Sequence, residues 1–174
     1  HSLRRRQRQM CIRYRVGEMF YIMNDLISTG NNPQYIYCKK LVKDMSGQRP
    51  LYLEPISVQY YGTLINGTKF DGTFTGYSAI DQNIPNPPKN KPTDFDSPVT
   101  FDLASTYMTS GWKQFPQFMH TGERWMVYIP WDSAYGSGGS GSVPGYSLLA
   151  FDVILMGVES VSYTHLRAHE TTLH

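Results

Sequence analysis

The sequence is short of the residues from which metal centres and nucleophile-base pairs are built. It holds five histidines and two cysteines in 174 residues. His120 is the only histidine between residues 2 and 164, and no serine elbow or Cys/His spacing surrounds it, so neither a Ser-His-Asp arrangement nor a ligand cluster has a centre. It is expected as a surface residue between a helix and a strand. Asp94 and Asp96 lie on opposite sides of any extended segment and sit among prolines, which reads as a solvated loop. The glycines of YGSGGSGSVPG lack the lysine of a phosphate loop and lead into a strand, which excludes a nucleotide cradle. No apolar run is long enough to span a bilayer.

Charge is also scarcer than it first looks. The formal net charge of +2 rests on an arginine cluster in RRQRQMCIR, Arg5 to Arg13. Back-translated as CGT CGG CAG CGT CAG ATG TGT ATA AGA, this string resembles one end of the adapter DNA of transposon-based sequencing libraries. VSYTHLRAHET, Val161 to Thr171, resembles the opposite end, and one base separates the adapter frame from this chain at Tyr14, where the adapter would encode Asp. Residues 1–15 and 161–174 are therefore expected to be translated adapter, disordered and outside the fold. Val16 to Ser160, about 145 residues, then suits one domain. That stretch holds nine Lys+Arg against thirteen Asp+Glu, so it is acidic and a nucleic-acid partner is not expected. Of the cysteines only Cys38 remains, which leaves no internal disulfide. His165 and His169, whose spacing would otherwise suggest a metal site, go too. A reading frame cut by a library leaves open a signal peptide or lipid anchor lost upstream, and a membrane enters only through such an anchor.

What is present is hydrophobic patterning. Met19, Phe20, Ile22, Met23, Leu26 and Ile27 fall at helical spacing, and STGNNP supplies the stop, which predicts a short helix. QYIYCKKLVKD favours a strand, so residues 16–46 form an N-terminal helix and strand segment ahead of a main domain over 47–160. ISVQYYGTLINGTKF places Ile56, Val58 and Tyr60 on one face, with Asn66-Gly67 as a two-residue hairpin turn. From 76 to 98 the prolines Pro85, Pro87, Pro88, Pro92 and Pro98 mark a solvated excursion. A short helix is expected around Trp112, ending near Pro116. ERWMVYI and SLLAFDVILMGV read as strands, the latter with Leu149, Phe151, Val153 and Leu155 inward. The class is α+β, with a helix covering one face of an antiparallel sheet.

Aromatic residues stand at strand ends and beside glycine loops. YYGTLINGTKFD, GWKQFPQFMHTGERWMVYIP, AYG and VPGYSLLAFDVIL occur in that order. The succession resembles the FKBP-type peptidyl-prolyl isomerases over about residues 56–155, minus the proline-rich excursion. The resemblance implies a bent antiparallel β-sheet wrapped around a short α-helix with an apolar cavity between them. Trp112 would floor that cavity, and Tyr60, Phe70 and Phe151 would wall it. Asp71 matches the family's pocket carboxylate, Tyr135 the tyrosine whose hydroxyl reaches a ligand carbonyl, and Thr109 the residue whose amide donates to the ligand. Two departures stand out: Val99 replaces an aromatic wall, and Met108 and Thr109 replace an apolar pair before the helix. They widen the cavity and make its rim more polar.

The implied function is isomerisation of X-Pro bonds in folding chains, with Trp112, Asp71 and Tyr135 catalytic. Tyr60, Phe70, Val99, Met108, Thr109 and Phe151 would bind substrate, and no cofactor, metal or covalent intermediate is needed. Macrolides are the second ligand class the family implies, and its occurrence in bacterial envelope proteins leans toward the periplasm or cell envelope. The rival reading, motivated by Val99, Thr109 and the long insertion, is a binding or chaperone module of the same fold without useful catalysis.

Overall fold

The chain is described by a computed structural model over residues 14–73 and 97–159. Residues 1–13, 74–96 and 160–174, which hold most of the two expected adapter stretches and of the proline-rich excursion, lie outside the described residues. Tyr14, placed at the adapter boundary, stacks on Phe20 with ring centroids 4.4 Å apart.

The predicted N-terminal helix is a strand. β1 (Met19–Met23) buries Phe20 and Ile22 and exposes Met19, Tyr21 and Met23, a period of two. Apolar residues at both spacings made the segment ambiguous, and pairing decided it. β1 joins β2 (Tyr35–Val42) in antiparallel register, Phe20 opposite Cys38 and Ile22 opposite Ile36. In β2 the buried side chains are Ile36, Cys38 and Lys40, so the tyrosines face outward.

β3 (Ile56–Leu64) and β4 (Lys69–Gly72) form the expected hairpin. Its turn is one residue longer than expected. Leu64 accepts from the Gly67 amide and donates to Thr68 O, and only Gly67 of the loop has positive φ, at 84°. That is a three-residue loop closed by a glycine bulge. β5 (Val99–Phe101) pairs with the start of β3, Val99 opposite Val58 and Phe101 opposite Ile56.

Helix α1 (Ser110–Gln114) gives way to a 3₁₀ turn over Phe115–Phe118, and Pro116 in the first turn of that segment has no N–H with which to carry the α-helical ladder on. β6 (Arg124–Ile129) and β7 (Leu149–Val158) complete a seven-stranded antiparallel sheet of order β1-β2-β6-β7-β3-β4, with β5 beside β3. β7 therefore lies between β6 and β3. Its expected inward residues are in the core, but Ala150, Asp152 and Ile154 are buried as well, so both faces are closed from Leu149 to Leu155. On that second face Arg124 donates through Nε to Asp152 Oδ1 at 2.8 Å, and Nη2 bonds the other carboxylate oxygen. Buried charge of this kind is tolerated only when paired.

A second buried charge group corrects the expectation for His120. It is 7% exposed, at the loop joining the 3₁₀ turn to β6. Glu123, fully buried, accepts from Lys40 Nζ at 3.3 Å and from the His120 amide at 3.0 Å. His120 Nδ1 sits 3.6 Å from Glu123 Oε2. Burial holds the imidazole below its ordinary value, against the pull of the Glu123 carboxylate, and the Arg49 and Lys40 cations reinforce the lowering.

Candidate functional site

The site is built outward from Trp112. In α1 it is 5% exposed, and four rings surround its indole. Tyr60 of β3, Phe101 of β5 and Phe151 of β7 meet it edge to face at 5.7, 5.0 and 5.3 Å between centroids, and Phe115 lies tilted at 4.9 Å. Edge-to-face pairs of this spacing add to the burial energy of each ring. Phe70 of β4 extends the set through Phe151, at 5.6 Å.

Glycine makes the approach of these rings possible. At Gly62 of β3 a Cβ would stand 2.8 Å from Phe151 Cε1 and 2.9 Å from Phe70 Cζ, so no larger residue fits between the two walls without moving them. At Gly111 a Cβ would stand 2.6 Å from Ile129 Cγ2 and 2.9 Å from Ser133 O, which sets α1 close against β6 and the loop after it.

The polar groups lie at one side of the ring cluster. Tyr60 donates its hydroxyl to Asp71 Oδ2 at 2.6 Å, while Asp71 Oδ1 accepts from the Gly72 amide at 2.8 Å. Burial and this bonded carboxylate push the Tyr60 phenol well up. Tyr135 is also raised, by burial first and then by the Asp71 charge, which puts its hydroxyl in the field of the same carboxylate. Both phenols thus stay protonated donors through the neutral range. Tyr135 is 37% exposed, and its hydroxyl has no hydrogen-bond partner among the described residues. Its loop is fixed from below by the Gly136 amide donating to Trp131 O at 2.7 Å.

Thr109 caps α1 in extended conformation, φ −64° and ψ 152°, and its carbonyl accepts the first helical bond from Lys113 at 3.1 Å. Its amide donates to nothing among the described residues. Its hydroxyl does not cap the helix, and Oγ1 is buried without a partner.

Each residue expected from sequence can now be placed. Tyr60, Phe70, Trp112 and Phe151 share one ring cluster; Asp71 is bonded to the Tyr60 hydroxyl, and its charge acts on Tyr135. Val99 and Met108 are partly buried against the same core. Phe101 and Phe115 were missed. Phe101 stands two residues from Val99 on the same strand face, so alternation was a usable signal, and it supplies a ring beside the indole where Val99 supplies none. Among the described residues no three His, Cys, Asp or Glu side chains are placed to share a metal ion.

The profile of the family described as FKBP-type peptidyl-prolyl cis-trans isomerase matches residues 48–156. The chain is 32% identical over 132 residues to the FKBP-type peptidyl-prolyl cis-trans isomerase FkpA of Aeromonas hydrophila, covering 76% of this chain and 40% of that protein. It is 30% identical over 128 residues to the macrophage infectivity potentiator of Trypanosoma cruzi, covering 73% and 55% respectively. The chain thus spans about half the length of these curated relatives. Among solved structures, a peptidyl-prolyl cis-trans isomerase from Pseudomonas syringae pv. tomato superposes with a TM-score of 0.57 at 23% identity, over 90% of this chain and 92% of the other. FkpA from Escherichia coli gives 0.55 at 22% identity, over 90% and 59%.

Proposed function

The chain belongs to the FKBP-type peptidyl-prolyl cis-trans isomerase family, and from that premise we propose that it catalyses rotation about X-Pro bonds in proline-containing segments of folding chains. The observation that carries the reading is the pairing of a nearly sealed aromatic cluster around Trp112 with two donors beside it that have no partner among the described residues, the Thr109 amide and the Tyr135 hydroxyl.

An X-Pro bond turns slowly because twisting the amide loses resonance, a barrier of roughly 18–20 kcal/mol. The prolyl ring rests on Trp112 between Tyr60, Phe70 and Phe151, with Val99 and Met108 completing the apolar lining. Water is displaced from the carbonyl, and the planar ground state, which has the larger dipole to solvate, loses more than the twisted state does. The Thr109 amide and Tyr135 hydroxyl then hold the rotated carbonyl. Asp71 keeps Tyr60 in place and raises Tyr135, so the donor stays protonated. Every tenfold of rate needs about 1.4 kcal/mol, so a few such contacts suffice without a nucleophile.

The same site takes macrolides as a second ligand class, with weaker affinity expected where Val99 stands in place of an aromatic wall. The cell envelope is the proposed location: a relative 28% identical over 124 residues is named an outer membrane protein of Legionella longbeachae.

The test is a protease-free assay on a proline tetrapeptide. Wild type is expected to turn over above background, Trp112→Ala to lose that turnover and Tyr135→Phe to reduce it severalfold. No turnover by the intact chain removes the enzymatic reading and leaves the rival, a binding or chaperone module, which holdase activity surviving Trp112→Ala would support.

A further inference from the structure

We propose that Asn24 is a positioning residue of this site, acting from outside the stretch that matches the family; the proposal rests on the assignment of Thr109, Trp112 and Tyr135 made above. Asn24 follows β1 in the N-terminal hairpin and is fully buried. Its side-chain amide donates both hydrogens across the fold, one to Ser110 Oγ at 2.9 Å and one to Ser133 Oγ at 2.9 Å. Ser110 is the first residue of α1, directly after Thr109 and two before Trp112. Ser133 is two residues before Tyr135. One side chain therefore ties together the segments that carry the donor amide, the indole and the donor hydroxyl.

The tie is rigid at its root. Asn24 Oδ1 accepts from the Leu26 amide at 3.3 Å, which leaves only the NH₂ group to point at the serines. The Asn24 backbone donates to Gln34 O at 2.8 Å and accepts from Ser28 N at 3.0 Å, so the residue cannot drift along the hairpin. Packing at Gly111 and Trp112 seats the body of α1, but few hydrogen bonds hold its first turn. Its N-cap has no side-chain bond, and its Ser110 hydroxyl reaches Ser133 O only at 3.5 Å. A helix of five residues with an unbonded cap frays unless something outside fixes its start. Asn24 is placed to do that, and it does so at the turn whose orientation sets the separation between Thr109 N and Tyr135 Oη. Donors that must meet a carbonyl only in its rotated position are sensitive to that separation.

The experiment uses the full chain and the proline tetrapeptide assay, with kcat and KM resolved and amide hydrogen exchange followed at Lys113, which donates to Thr109 O, and Gly136. Asn24→Ala is expected to lower kcat/KM about tenfold, mostly in kcat, well below its unfolding temperature. Exchange at both amides is expected to quicken. Ser110→Ala with Ser133→Ala removes the same two bonds from the other side; it should show the same loss, and adding Asn24→Ala should cost little more. Ile36→Val loosens the same hairpin without touching the serines and should leave kcat/KM at the wild-type value. Wild-type kcat/KM and exchange in Asn24→Ala overturn the proposal. If that variant does not fold, wild-type kcat/KM in the double serine variant overturns it. An equal loss in Ile36→Val also overturns it, by reducing the effect to general destabilisation. Absence of turnover in wild type marks the different failure, that of the isomerase reading itself, and the proposal falls with it.

Discussion

Tyr60 and Asp71 face each other across the β3-β4 hairpin, the phenol donating to the carboxylate at 2.6 Å. The bond fixes the ring that meets Trp112 edge-on and holds the carboxylate toward Tyr135. Tyr60→Phe keeps the ring and removes the tether. The expected result is a loss of about 1 kcal/mol in urea unfolding and a severalfold drop in kcat/KM as Asp71 turns to solvent. Unchanged kcat/KM would show that the carboxylate has no part in the site.

Thr109 separates backbone from side chain. Its hydroxyl is buried and unpartnered, so the nearly isosteric Thr109→Val is expected to gain about 1 kcal/mol of stability with isomerase activity retained. Thr109→Pro suits the observed φ of −64° and removes the amide hydrogen along with the hydroxyl, whose separate loss is read in Thr109→Val. It is expected to keep the fold by circular dichroism and to lose at least tenfold in kcat/KM.

Gly62 leaves no room for a methyl group between Phe151 and Phe70. Gly62→Ala is expected to destabilise by about 1–3 kcal/mol through overpacking, read by urea unfolding, and to shift Trp112 emission as the walls part. A stability equal to wild type would mean that the rings yield freely.

His120 gives a pH dependence whose sign follows from its lowered pKa. The folded state prefers the neutral ring while the unfolded chain binds a proton at about 6.5. Stability from this group is therefore full above the unfolded value and is lost as pH falls toward the folded one. Unfolding between pH 7.5 and 5 should show wild type weakening on acidification, and His120→Gln should flatten the slope. Asp44, whose carboxyl is lowered by bonds from Ser46, contributes only at more acidic pH, outside this window.

Much of this was legible in the sequence, and the parts that were not have identifiable reasons. Tyr60, Phe70, Phe151 and Trp112 sit in short motifs whose glycines and aromatics have few alternative uses, and the structure gathers them. The N-terminal segment misled because Phe20, Ile22 and the apolar residues around them satisfy both a helical and a strand period. Only the partner strand, with Ile36 and Cys38 in register, chooses between them. His120 was expected at the surface; its burial depends on a three-way arrangement with Lys40 and Glu123 that no local pattern encodes. Asn24 and its two serines are separated by 86 and 109 positions, a distance over which sequence carries no visible mark.

The placing of β7 bears on the order of events at the ribosome. β1, β2 and β6 can assemble as one ribbon, and β3, β4 and β5 as another, but neither ribbon has a partner for the edge it will finally share with residues 149–158. Until that segment emerges, the nascent chain carries two half-sheets with bare flanks, and Trp112 lacks the ring of Phe151. The decisive step of this fold is thus the insertion of a central strand between two waiting halves, and that strand follows every other described strand along the chain.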